Sequence, residues 1–296
     1  MRVSNSQIFE ELSGFTLPKG ILFHQLGLIN SSEPGTLSFA ESKAYTEKGF
    51  DNPNIVALLL PENLALSKNP VSARIIPCEN PKELFYRLFN RIANEEIKAR
   101  EPSKIDSSAL IAPSAVIAPY GVTIGANTRI MEGVTIENGV DIGNHCLIEV
   151  GTVIGRDGFE FKRINGIQTR IIHNRKVLIG DNVELGHHCV VDKGIFDRDT
   201  RIDDDSKIDS HSHIAHATQI GRNNLIASGV LCCGSVTIGN DCWIGPKSVI
   251  SNGLKVGNKA YVGIGSVVVV DVDDNSRVFG NPASSNYHRY LKIIYE

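Results

Sequence analysis

From Ile105 onward the chain places an aliphatic side chain at every sixth position: Ile105, Ile111 and Ile117, then, after a one-residue slip, Ile124, Ile130, Ile136, Ile142, Ile148 and Ile154. The count resumes at Ile179, Leu185 and Val191, slips again, and runs unbroken from Ile202 to Val268 with Cys232 as its single non-aliphatic member. A six-residue period fits neither the 3.6-residue turn of an α-helix nor the simple alternation of a strand. It is the repeat of a parallel β-helix, in which each hexapeptide forms one flat side of a coil. Three sides close a triangular coil of 18 residues, and coils stack at the strand spacing of about 4.8 Å. A small residue often follows the aliphatic one, as in "IGAN", "LGHH" and "IGND". Another small side chain often stands four residues after it: Thr128, Cys146, Cys189, Ser206, Cys242, Ser248 and Ala260. Both the aliphatic and the small row are expected to point inward.

Residues 1–103 have a different texture, read as a small α/β domain: a helix at "SQIFEEL", strands at "GTLSFA", "NIVALLL" and "ARIIPC", and a helix at "PKELFYRLFNRIANEEI". In the last segment Leu84, Leu88 and Ile92 recur at helical spacing, with Phe85 and Phe89 beside them. The β-helix is assigned to residues 104–272 and a short C-terminal helical tail to 273–296. The repeat is interrupted over 157–177, "DGFEFKRINGIQTRIIHNRKV", which carries Phe159, Phe161 and several charges. Insertions leave a solenoid as loops, often on the functional face. Exposed aromatics need something to pack on. Asp157, Phe159 and Phe161 are therefore expected in a loop that covers a substrate or donor site or reaches a neighbouring subunit.

With 296 residues, 42% of them hydrophobic and 21% charged, the chain has the material for a real core and more than one domain. A formal net charge of -3 without a Lys/Arg block argues against nucleic acid or an anionic membrane as the main partner. The start, "MRVSNSQIFEELSG", lacks the pattern of a signal peptide, and no apolar run approaches the roughly 18 residues of a transmembrane segment, so a cytoplasmic location is expected. The six cysteines are expected as free thiols, with Cys146, Cys189, Cys232 and Cys242 in the core.

In the unit Ile214–Gln219, His216 stands third, near a corner of the coil and outside the inward rows. Eighteen residues on, one coil away, stands Gly234 in "CCGS", so the two are expected to be stacked neighbours. An imidazole takes a proton from an attacking amine or hydroxyl at neutral pH, and a glycine N–H unshielded by a side chain stabilises the oxyanion of a tetrahedral intermediate. This constellation suits acyl transfer, with His216 as general base and Gly234 as oxyanion donor. Asp209 is a candidate to orient His216, as an acidic partner stabilises an imidazolium.

The stretches "DGFEF", "VELGHHCVVDKG", "HIAHATQIG" and "LIASGVLCCGSVTIGNDCWIG" resemble those of the UDP-3-O-acylglucosamine N-acyltransferases of lipid A biosynthesis. In the first domain "GTLSFAESKAY" is similar to that family's uridine-binding segment, whose Phe and Tyr, six residues apart, sandwich the uracil; Phe39 and Tyr45 match, and Ser42 stands where the family has Asn. The resemblance covers most of residues 30–270. It implies a left-handed β-helix, a homotrimer with active sites between subunits, a nucleotide-linked amino sugar as acceptor, and an acyl thioester donor on CoA or acyl carrier protein, with no permanently bound cofactor or metal. The family's second active-site histidine falls at about Gly253, and its long C-terminal extension is reduced to "SSNYHRYLKIIYE" after "VFGNPASS", an ending closer to the "GNPA" of CoA-dependent sugar N-acetyltransferases. These departures point towards a short acyl-CoA donor, with the product feeding lipid A or another surface glycan.

Two rival readings stand beside this one. His187, His188, His211, His213 and His216 include the five-residue spacing of two zinc ligands in β-helix carbonic anhydrases. The second rival is a non-catalytic trimer that binds nucleotide sugars. Cys233 as a nucleophile and the acidic run "DRDTRIDDDSKID" as a metal site are weaker signals, better read as a lining thiol and a solvated corner.

Overall fold

The structure, a computed structural model, describes residues 5–14, 16–17, 21–65, 75–98 and 100–282, which divide into two compact units. The first contains the described residues up to 98 together with 159–174; the second contains 100–158 and 175–282. None of the described helices is long and apolar enough to cross a membrane.

The second unit is a left-handed parallel β-helix with three sheets, one per side of the coil. One sheet of eight strands runs from Lys104–Ile105 to Lys255–Val256, one of nine from Leu110–Ile111 to Arg277–Val278, and one of eight from Val116–Ile117 to Val267–Val268. Every strand pairing in these three sheets is parallel, and through the unbroken run of the repeat register joins residues 18 apart, such as Ile202 with Ile220 and Cys232 with Ile250. The aliphatic row forms a continuous buried core, from Ile124 through Ile148, Leu185, Ile214 and Ile244 to Val268. The small inward row is equally dry: Thr128, Ser206 and Ser248 are fully buried, and each hydroxyl donates to a backbone carbonyl at a corner. The glycine after the aliphatic residue has a steric cause. A Cβ on Gly125 would lie 2.6 Å from the Gly143 carbonyl carbon of the next coil.

The repeat extends further than expected. Arg277–Val278 pairs with Tyr261–Val262, so residues 273–278 continue the coil instead of opening a tail. Residues 283–296, on which the short-tail argument for a CoA donor rests, lie outside the described residues.

The first unit has a parallel sheet of four strands in sequence order, Gln25–Leu26, Thr36–Phe39, Ile55–Leu60 and Ile75–Pro77. Its longest strand, IVALLL, is apolar throughout because both faces are covered. The helix Pro81–Lys98 buries Leu84, Phe85, Leu88, Phe89 and Ile92, the expected stripe. A helix at Lys43–Asp51 and a short one at Glu62–Ala65 carry no strong apolar period and escaped the pattern. The described residues of the first unit's N-terminal segment end at 98, and the interruption at 157–177 contains regular structure. Phe161–Ile164 and Ile167–Arg170 pair as an antiparallel hairpin that belongs to the first unit. Asn90 fixes it to the long helix: its Nδ2 donates to the Arg170 carbonyl at 2.9 Å and its Oδ1 accepts from Ile172 N at 3.0 Å.

Candidate functional site

The strand His213–Ile214 turns its isoleucine inward and its histidine outward, and the chain then rounds a corner through Ala215, His216 and Ala217. Ala217 takes a left-handed φ of 58° to make that turn, as Ser235 does one coil on with 60°. Register places Lys193, His216, Gly234 and Asn252 in one column, each two residues past an inward residue. Successive coils are tied along the column by Ser235 N donating to the His216 carbonyl at 2.8 Å and Gly253 N to the Gly234 carbonyl at 3.0 Å.

His216 is half-buried and its imidazole lies against Gly234. A Cβ on Gly234 would collide with Cε1 and Nε2 of the ring and stand 3.0 Å from Asn252 Oδ1, so only glycine leaves room for the imidazole. The Gly234 amide makes no hydrogen bond among the described residues. An imidazole and a backbone N–H thus occupy one corner, stacked as the 18-residue spacing leads one to expect.

Asp209 does not join them. It follows Ile208 in the nine-stranded sheet and sits at the preceding corner, with the whole strand His213–Ile214 between it and His216. Its Oδ1 accepts from Ser210 N at 2.6 Å. The acidic partner found near this corner is Asp192, whose nearly buried Oδ2 lies 2.9 Å from His213 Nε2. The hydrogen bond and charge of Asp192 raise the His213 pKa above its ordinary value against the opposing cost of burial. Beside Asp192, the buried ammonium of Lys193 lies 3.1 Å from Asp157 Oδ1. Asp157 is therefore a partner of the column that holds His216, a contact the residue spacing does not foretell. Lys193 and Asn252 were also missed, although counting two residues past Val191 and Ile250 identifies both.

In the first unit Phe39, Ser42 and Tyr45 come together on a cleft of about 700 Å³. Phe39 ends its strand half-buried, with its ring centroid 4.8 Å from Phe85 and 5.7 Å from Tyr86. Ser42 caps the helix Lys43–Asp51, its Oγ accepting from Tyr45 N at 3.4 Å, a role a small polar side chain fills well. That cap points Tyr45 outward from the first helical turn, where its ring is 55% exposed.

Phe159 is 89% exposed, 5.1 Å from Phe161, whose ring faces the Arg170 guanidinium at 4.8 Å. The remaining histidines divide among separate places: His188 and His211 stack at 5.6 Å, and His187 lies 3.8 Å from Glu149. Among the described residues no group of three or more His, Cys, Asp or Glu is placed to hold a metal. All six cysteines are free, with Cys146, Cys189, Cys232 and Cys242 buried. Burial raises the Cys233 pKa, the opposite of what a thiolate nucleophile needs. The acidic run serves the fold, as Asp204 accepts from Asp181 N at 2.9 Å and pairs with Arg222 at 2.7 Å.

Residues 121–156 match the family described as bacterial transferase hexapeptide (six repeats). The chain is 40% identical over 118 residues to the UDP-3-O-acylglucosamine N-acyltransferase of Hahella chejuensis, covering 40% of this chain and 34% of that one. It is 32% identical over 157 residues to the enzyme of the same name from Herminiimonas arsenicoxydans, covering 53% and 45%. It thus spans between about a third and about half the length of these curated relatives. Among solved structures it is similar to the UDP-N-acetylglucosamine acyltransferases of Francisella novicida (TM-score 0.51, 25% identity, 65% of this chain and 72% of that one) and Campylobacter jejuni (0.51, 25%, 61% and 73%). The chain is a hexapeptide-repeat β-helix protein that is similar, over part of its length, to the UDP-3-O-acylglucosamine N-acyltransferases.

Proposed function

We propose that this protein transfers an acyl group from a thioester to the amine of a nucleotide-linked amino sugar. The observation that carries the reading is the His216 imidazole seated against Gly234, whose amide is unused. The amine attacks the thioester carbonyl and, as the C–N bond forms, gives its proton to His216. The carbonyl oxygen becomes an oxyanion, which the Gly234 N–H stabilises. Collapse of the tetrahedral intermediate breaks the C–S bond, and His216 returns the proton to the departing thiolate. No covalent enzyme intermediate is required, which agrees with the raised pKa of Cys233.

The cleft of the first unit supports the nucleotide half of the reading, with Phe39 and Tyr45 taking opposite faces of a pyrimidine. The named relatives act on a UDP-linked glucosamine, and UDP-amino sugars are the acceptors to test first. A homotrimer in the cytoplasm is part of the same reading. The experiment is an assay in which purified protein receives an acyl thioester and a UDP-amino sugar. Equal amounts of amide and free thiol are expected; nucleotide-sugar binding without either product would make the protein a binding module and refute the proposal.

A further inference from the structure

The hairpin inserted between coils is built into the first unit rather than hung from the β-helix. Besides Asn90, its tip is held through Asn165, which bonds to Asn80 at 3.1 Å and to Glu83 at 2.5 Å. Four side-chain hydrogen bonds to one helix and its cap hold the hairpin at its tip and at the end of its second strand, and antiparallel pairing then fixes the first strand. Lys162, on that strand, lines the same cleft as Phe39, Ser42 and Tyr45.

The cleft is rich in cations. Lys48, Lys82 and Lys162 line it against one lining carboxylate, Glu41. Lys162 Nζ is held 2.6 Å from Glu160 Oε1 and 6.0 Å from the Tyr86 ring centroid, and its side chain is one-third exposed, so the ammonium is oriented yet open to a ligand. Lys48 Nζ lies 5.5 Å over the Tyr45 ring, beside the aromatic wall. Burial, with the charges of Glu160 and Glu41, pushes the Tyr86 phenol well above its ordinary pKa, which keeps it a hydrogen-bond donor. Aromatic rings and three ammonium groups lining one cleft suit a ligand that joins a flat base to two phosphates, because phosphate oxygens take charge-assisted hydrogen bonds from lysine.

We infer that the inserted hairpin completes a diphosphate subsite, with Lys162 reaching the phosphates of a nucleoside diphosphate alongside Lys48 and Lys82. The inference rests on the nucleotide reading of the cleft. It assigns the interruption of the repeat a ligand-binding role and makes Lys162 a determinant of diphosphate over nucleoside.

Calorimetric titration of the full-length protein with uridine, UMP and UDP tests it. UDP is expected to bind at least tenfold tighter than uridine, with the advantage shrinking as salt rises. Lys162→Met is expected to weaken UDP about tenfold, near the low end of a hydrogen bond to a charged group given the competing Glu160, while uridine stays within about twofold. Lys162→Arg should keep most of the UDP affinity, and Lys48→Met should repeat the selective loss. Equal affinities for UDP and uridine in the unaltered protein, or undiminished UDP binding by Lys162→Met, would overturn the diphosphate subsite while leaving the base site standing. Failure of all three ligands to bind would overturn both.

Discussion

The two units solve the same problem, burying apolar surface, by opposite routes. In the β-helix each coil contacts only its neighbours, so stability is close to a sum of similar increments along one row from Ile124 to Val268. In the first unit the core is gathered from distant segments, the helix Pro81–Lys98 and strands that start as early as Gln25. The difference has a functional side. A rigid stack holds His216 and Gly234 in fixed register, which suits proton transfer, while the first unit shapes a cleft from a strand end, a helix cap and a hairpin. The proposed function places its chemistry on the repeating unit and nucleotide binding on the non-repeating one.

The comparison is sharpened first by stability. Ile244 is fully buried between Ile226 and Val262, and Ile244→Ala should cost about 2–5 kcal/mol, read by denaturant unfolding. A cost below about 1 kcal/mol would mean that the coils are not coupled through this row. Gly234→Ala should lower kcat by roughly 100-fold with the fold retained on circular dichroism, because the added methyl displaces the base. Tyr45→Ala should weaken nucleotide-sugar binding by about 1–3 kcal/mol and leave kcat at saturation nearly unchanged, as lost uniform binding raises KM alone. Tyr45 is the better probe than Phe39, which also packs on Phe85. Smallest is His213→Gln. Because Asp192 raises the folded-state pKa of His213, the pair contributes most below the unfolded value of about 6.5, and that contribution is lost as pH rises through the folded value. The Tm gap between the unaltered protein and His213→Gln should therefore be larger at pH 6 than at pH 8.5. A gap independent of pH would mean that the 2.9 Å contact carries no charge.

Legibility in the sequence follows the same division. The inward rows of the β-helix, its buried cysteines and the stacking of His216 on Gly234 follow from counting in sixes and eighteens, because a parallel coil converts spacing directly into contact. The count also separates Asp209 from His216, since the two stand beyond different inward residues and so at different corners. The Asp192–His213 pair was harder to read, as it joins the first residue of one strand to the last residue of the strand in the coil before. The hairpin was hidden for another reason. Its strands, FKRI and IQTR, are largely exposed or half-exposed and polar, and what holds them is Asn80, Glu83 and Asn90, on a helix and its cap some 80 residues earlier. The helix Lys43–Asp51 buries only Thr46 and Gly49, so it left no apolar stripe to find.

The most direct test is steady-state N-acyl transfer to a UDP-amino sugar by His216→Ala beside the unaltered protein. The account predicts a fall in kcat of at least about 100-fold, with nucleotide-sugar affinity and thermal unfolding unchanged. A kcat within a few-fold of the unaltered protein would contradict it and remove His216 from the chemistry.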